Sequence, residues 1–169
     1  FTRSVSKLMA KTLFVGTNNG AFRLQNDKFV LISPTTGQQI NAIYSAEKTY
    51  FATQNGELLE LKKDSVNILA KLDVPITSIL EKGELIFFGT GGRNQKGRGV
   101  LRLENNEIKE LWRKPYNIND LAFDKNSTLW IGSRVISSES GLFQLNSQQF
   151  GEQLGTISSL RFDDKNDLW

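Results

Sequence analysis

The chain has 169 residues, 38% hydrophobic and 23% charged, the balance of one globular domain with its own core. It has no cysteine and no histidine, which excludes disulfides, thiolate metal sites and any imidazole base or zinc ligand. A net charge of +3 from scattered Lys and Arg gives nucleic-acid binding no support, and no apolar run approaches the roughly 20 residues of a transmembrane helix.

From the N-terminus, FTRSVSKLMAK lacks the apolar stretch of a signal peptide. Val5-Ser6-Lys7-Leu8 opens the first copy of a repeat, followed by a compressed turn at Met9-Ala10-Lys11. Strands are predicted at Leu13–Thr17, Gly20–Leu24 and Phe29–Ile32, the last two joined by Asn26-Asp27. The second copy starts at Ile40-Asn41-Ala42-Ile43 and runs through Tyr50–Thr53, Gly56–Leu61 and Val66–Leu69. The third starts at Ile76-Thr77-Ser78-Ile79, with Ile86–Thr90, Gly99–Leu103 and Ile108–Trp112. The fourth starts at Ile118-Asn119-Asp120-Leu121, with Leu129–Ser133, Gly141–Leu145 and Phe150–Leu154. Ile157-Ser158-Ser159-Leu160 begins a fifth.

The starts are 35, 36, 42 and 39 residues apart, the range of propeller blades. Period-2 alternation, tight turns and no helical spacing define an all-β protein. The expected fold is a β-propeller of four four-stranded blades plus the start of a fifth, forming part of a larger ring. The blades are residues 5–39, 40–75, 76–117 and 118–156, with 157–169 opening the next. The first residue is Phe and the last lies in an apparent strand, so both ends read as cut. Two alternatives stand beside this reading. One is a β-solenoid, whose coils are usually shorter and lack regular hairpin pairs. The other is a closed four-bladed ring, in which Ile157–Trp169 pairs with or replaces strands of the first copy.

The first strand of each unit is expected nearest the axis. Gly16, Ala52, Gly89 and Gly132 are expected where a neighbouring backbone comes close. Trp130 and Trp169 are expected to pack between blades.

ISSLRFDDKNDLW and INDLAFDKNSTLWIGS with SGLFQL resemble the two-component regulator propeller repeat. That repeat has an Ile-Thr-x-Leu start, an acidic turn, a Leu-Trp-Ile-Gly-Thr strand and a Gly-Leu-x-x-Phe strand. The third copy matches it moderately. The first two are degenerate, with Phe14 and Phe51 where Trp is usual. The resemblance implies the periplasmic sensor part of a hybrid histidine kinase, or a secreted or surface protein of Bacteroidetes, including type IX secretion proteins. It implies a periplasmic or cell-surface location, and it is compatible with a homodimer of the parent protein.

The loop between the second and third strands grows from Asn18-Asn19 and Gln54-Asn55 to residues 91–98 and 134–140 in the third and fourth copies. Insertions on a regular scaffold are where function tends to be placed. Arg93, Lys96, Arg98, Arg113, Tyr116 and Arg134 are therefore the candidate ligand-binding residues, with Lys114 and Trp112 nearby. Guanidinium groups suit the carboxylates, sulfates or phosphates of an acidic glycan or small ligand. Solvated loop charge is the competing reading of the same residues. Gly89-Thr90-Gly91-Gly92 lacks the ending of a phosphate loop. The Asp124 and Asp163 turns lack calcium-loop spacing. No catalytic residue, metal site or cofactor is expected. The function expected is non-enzymatic recognition of a glycan-like ligand or a partner protein. The alternatives are a surface-assembly or type IX secretion scaffold, and a propeller lyase or hydrolase whose catalytic residues lie outside this segment.

Overall fold

The computed structural model describes residues 2–5, 12–92, 95–134, 141–145, 149–150 and 155–169. It contains four antiparallel sheets. The first holds β1 (Thr2–Val5), β2 (Phe14–Thr17), β3 (Gly20–Gln25) and β4 (Lys28–Leu31). The second holds β5 (Ile40–Ser45), β6 (Thr49–Thr53), β7 (Glu57–Lys62) and β8 (Ser65–Lys71). The third holds β9 (Ile76–Lys82), β10 (Leu85–Thr90), β11 (Val100–Glu104) and β12 (Glu107–Trp112). The fourth holds β13 (Asn117–Phe123), β14 (Leu129–Arg134), β15 (Leu142–Gln144) and β16 (Gln149–Phe150). Among the described residues the only helical element is a 3-10 turn at Ser33–Thr35, and no helix is long and apolar enough to cross a membrane.

Each sheet is a four-strand meander whose sequence neighbours pair. The hairpins before the fourth strands are held by left-handed residues. Asn26 and Asp27 have φ of 50° and 61°, and Asn105 and Asn106 have 50° and 63°. Two such residues in succession match the right-handed twist of the flanking strands.

The first strands of successive sheets touch in the order β1, β5, β9, β13, so they form the inner wall. The second strands of the middle sheets, β6 and β10, are buried on both faces, because those sheets are sandwiched between neighbours. In β6, Phe51 faces Phe14 and Ile40, while Tyr50 and Ala52 face Ile76 and Phe88. In β14, Leu129 and Ile131 face Phe87 and Ile118, while Trp130 packs with Ile157, Phe162 and Leu168. Period-2 alternation thus distributes side chains between two inter-blade cores.

The first strand lies earlier than expected. Val5 pairs with Val15, as Ile43 pairs with Phe51 and Leu121 with Ile131. Val5 therefore occupies the fourth position of its copy, and Thr2, paired with Thr17, occupies the first. Val5 and Leu8 have the spacing of the repeat's start, which shifted the register by three. The turn expected at Met9-Ala10-Lys11, and Asn146-Ser147, lie outside the described residues.

Ile157–Trp169 does not join the first sheet, whose inner strand is Thr2–Val5. It folds on itself through the Phe162–Leu168 bridge and Arg161–Trp169 backbone bonds, and Ile157 N donates to Ser133 O at 3.0 Å.

Candidate functional site

The site begins with a β-bulge that recurs in every first strand. The pairing of β5 with β6 skips Asn41, that of β9 with β10 skips Thr77, and that of β13 with β14 skips Asn119. A bulged residue is unpaired in the ladder, so its side chain is re-aimed. Here all three are aimed at the next blade. Asn41 Nδ2 donates to Ile76 O at 3.0 Å, the Thr77 hydroxyl donates to Ile118 O, and Asn119 Nδ2 donates to Ile157 O at 2.7 Å. We call each of these contacts a latch.

The three latch residues line one cavity of about 790 Å³ on the inner wall. Gln39, Gln54, Gln95, Asn117, Gly91, Gly92 and Arg134 complete its lining. These come from the second, third and fourth sheets, from the loops between second and third strands and, for Gln39, from the connector that enters the second sheet.

The carboxamides are tied to one another and to backbone. Gln39 Nε2 donates to Asn41 Oδ1 and to Gln54 Oε1, both at 3.0 Å. Asn41 Nδ2 also reaches Gln54 Oε1 at 3.2 Å. Buried Asn117 pairs both ways with Gly92, accepting its N–H at 3.3 Å and donating to its carbonyl at 2.6 Å. Gly91 makes room for this. Its φ is 133°, and a side chain there would run into Asn117. Gln95 Nε2 donates to Asp73 O at 2.9 Å.

The expected site residues divide. Arg134 lines the cavity and is exposed. Arg98 does not line it, and is held by Glu110 at 2.5 Å and Asp73 at 3.6 Å. That bond to Arg98 is the main reason the Glu110 carboxyl titrates below its ordinary value. Arg113 is exposed and meets the same Glu110 at 3.6 Å. Lys96 is exposed and outside the lining, as is Lys114. Tyr116 is only 7% exposed and packs between Trp112 and Phe143, with ring centroids 5.6 and 5.7 Å away. It is an inter-blade core residue in this structure. Arg93, Asn94 and residues 135–140 lie outside the described residues. Of the described basic residues only Arg134 reaches the cavity, and most of the other side chains that line it are carboxamides. The signal for it was present in the polar second residues of Ile40-Asn41, Ile76-Thr77 and Ile118-Asn119.

The repeat signature has structural roles. Side chains added at Gly16 and Gly132 would come within 2.8 Å of Ile40 Cγ2 and 2.7 Å of Ile157 Cγ2, and one at Gly89 would meet Ile118. The close neighbour is thus the first Ile side chain of the next unit. Thr90 and Ser133, fully buried, donate to Gly99 O and Gly141 O at 2.8 and 3.2 Å and seal the hairpin base. Asp124 Oδ2 accepts the Trp130 indole N–H at 3.1 Å, and Asp163 Oδ2 accepts that of Trp169 at 3.2 Å. Their other oxygens accept backbone N–H groups within the turn.

Four radially adjoining four-stranded meanders, with their first strands innermost, are the architecture of a β-propeller. No protein-family model and no curated protein matches the sequence. Solved structures do match. The extracellular domain of a hybrid two-component system from B. thetaiotaomicron has a TM-score of 0.74 at 18% identity, covering 99% of this chain and 25% of that one. PorZ, a surface component of the type IX secretion system of Porphyromonas gingivalis, has a TM-score of 0.66 at 16% identity, covering 98% and 30%. Virginiamycin B lyase from Staphylococcus aureus has a TM-score of 0.70 at 14% identity, covering 99% and 62%. The chain spans about a quarter of the length of the two-component domain. These likenesses establish the propeller fold. Two of them are to proteins of the kinds that the repeat resemblance implies.

Proposed function

We propose that this chain is part of a non-enzymatic, extracytoplasmic recognition propeller that takes its ligand at the inner cavity. The observation that carries the reading is the cavity of about 790 Å³ whose described walls are mainly carboxamides, with the Arg134 guanidinium. Carboxamides present donors and acceptors without titrating, so they hold and discriminate a polar ligand rather than move protons. The location follows by analogy from the two neighbours, an extracellular domain and a surface component. The ligand is glycan-like or belongs to a partner protein.

The test is calorimetric titration of the full-length protein with glycan and peptide panels, with mass spectrometry of each ligand afterwards. Saturable binding with unaltered ligand, weakened by Gln54→Ala, is the expected result. Chemical conversion of any ligand would overturn the reading in favour of a propeller lyase or hydrolase.

A further inference from the structure

We propose that the cavity takes an extended, acidic polypeptide segment, whose backbone is read by the carboxamides and whose carboxylate meets Arg134. This rests on the recognition reading above and narrows it to one partner chemistry.

The first support is what the walls already bind. Asn41, Asn119 and Gln95 each donate to a backbone carbonyl, and Asn117 pairs with both the N–H and the carbonyl of Gly92. The same side-chain type suits further peptide groups, which offer one donor and one acceptor per residue.

The second support is what is left over. Gln39 and Asn41 both spend their N–H groups on Gln54 Oε1, which leaves the Gln54 amide nitrogen as a donor with no partner among the described residues. Gln39 Oε1 and Asn119 Oδ1 are likewise acceptors without a described partner. The lining thus keeps both a donor and acceptors, the two kinds of group that a peptide backbone can pair with.

The third support is the lining's composition. Among the described residues it contains no aromatic and no large apolar side chain. Small-molecule sites are mostly apolar, and a sugar ring would find no flat face to stack on among these residues. A segment held through its main chain needs neither. The fourth is charge. Arg98 spends its fork on Glu110, whereas Arg134 has no carboxylate partner among the described residues. A guanidinium fork in this position selects a carboxylate over its amide.

The test uses three probes against the protein: a capped glycine-serine peptide with a central glutamate, the same peptide with glutamine, and a uronic-acid oligosaccharide. The glutamate peptide should bind about tenfold more tightly than the glutamine one, the scale of one charge-assisted contact. Arg134→Ala should erase that preference. Gln54→Ala should weaken both peptides together, with thermal melting showing that each variant is folded. Equal binding of the two peptides, a preference that survives Arg134→Ala, or no peptide binding would overturn the proposal. If the oligosaccharide alone binds, the peptide assignment fails while the recognition reading stands. Conversion of a probe would sink the recognition reading itself.

Discussion

Asn119 holds Ile157 by a 2.7 Å hydrogen bond that crosses from one repeat into the next. The same relationship joins Asn41 to Ile76 at 3.0 Å. Removing either donor costs one side-chain-to-backbone bond, so Asn119→Ala and Asn41→Ala should each lose about 1 kcal/mol in urea unfolding. Asn119→Asp, a carboxylate without the donor, should be no better than alanine. An unchanged unfolding midpoint in Asn119→Ala would dismiss the latch as a stabilising contact.

The glycine of the second strand is set by a neighbour's methyl group. A Cβ on Gly132 would stand 2.7 Å from Ile157 Cγ2. Gly132→Ala should therefore destabilise by about 1–3 kcal/mol through overpacking. A double-mutant cycle with Ile157→Ala, which removes that Cγ2 methyl, checks the cause. Additive losses would mean that the two positions do not press on each other.

Acid should loosen the Asp124 turn. Burial alone would raise this carboxyl, but the Trp130 indole and the N–H groups of Thr128 and Asn126 outweigh it and lower the pKa. A carboxylate with a depressed folded pKa stabilises above its unfolded pKa, and loses that contribution as pH falls through the folded value. The melting temperature should thus drop as pH falls below about 4, the unfolded range of Asp. Asp124→Asn should flatten this dependence. An identical acid profile in that variant would assign the effect to other carboxyls.

Alkali acts through Tyr50 in the opposite direction. Its phenol is pushed far up by burial and by its 2.8 Å hydrogen bond to Glu81. Tyr44, beside it, is raised by burial and by the same Glu81 charge. The folded state therefore keeps these phenols neutral, and their contribution is present below about pH 10, where an unfolded tyrosine ionises, and is lost above it. Absorbance titration of phenolate should show late-titrating groups, one fewer in Tyr50→Phe. Ordinary titration of all tyrosines in the folded protein would contradict this packing.

The propeller was legible because each strand alternates against two cores. Trp130 and Ile131 are adjacent in sequence yet belong to different blade interfaces. The start of the first copy was misplaced because Val5 and Leu8 imitate the spacing of the repeat, while Thr2 is polar. The cavity was harder to read. Gln39 and Asn117 precede the first Ile of their copies and Asn41 and Asn119 follow it, but Gln54 and Gln95 stand in loops of unlike length, and only folding brings them to the same wall. Of the basic residues conspicuous in sequence, Arg98 and Arg113 are taken up by local ion pairing. Glu110, on β12, pairs with both Arg98 and Arg113, and neither of them lines the cavity.

The latch also has a direction. Asn41, Thr77 and Asn119 each reach forward along the chain, and the group they find is always a carbonyl. A cut across any of these three contacts would therefore expose unlike faces: a side-chain donor on the earlier unit and a backbone acceptor on the later one. Like faces could not satisfy each other through this contact. The repeat thus carries a head-to-tail polarity, which would direct two such arcs to join in tandem rather than back to back.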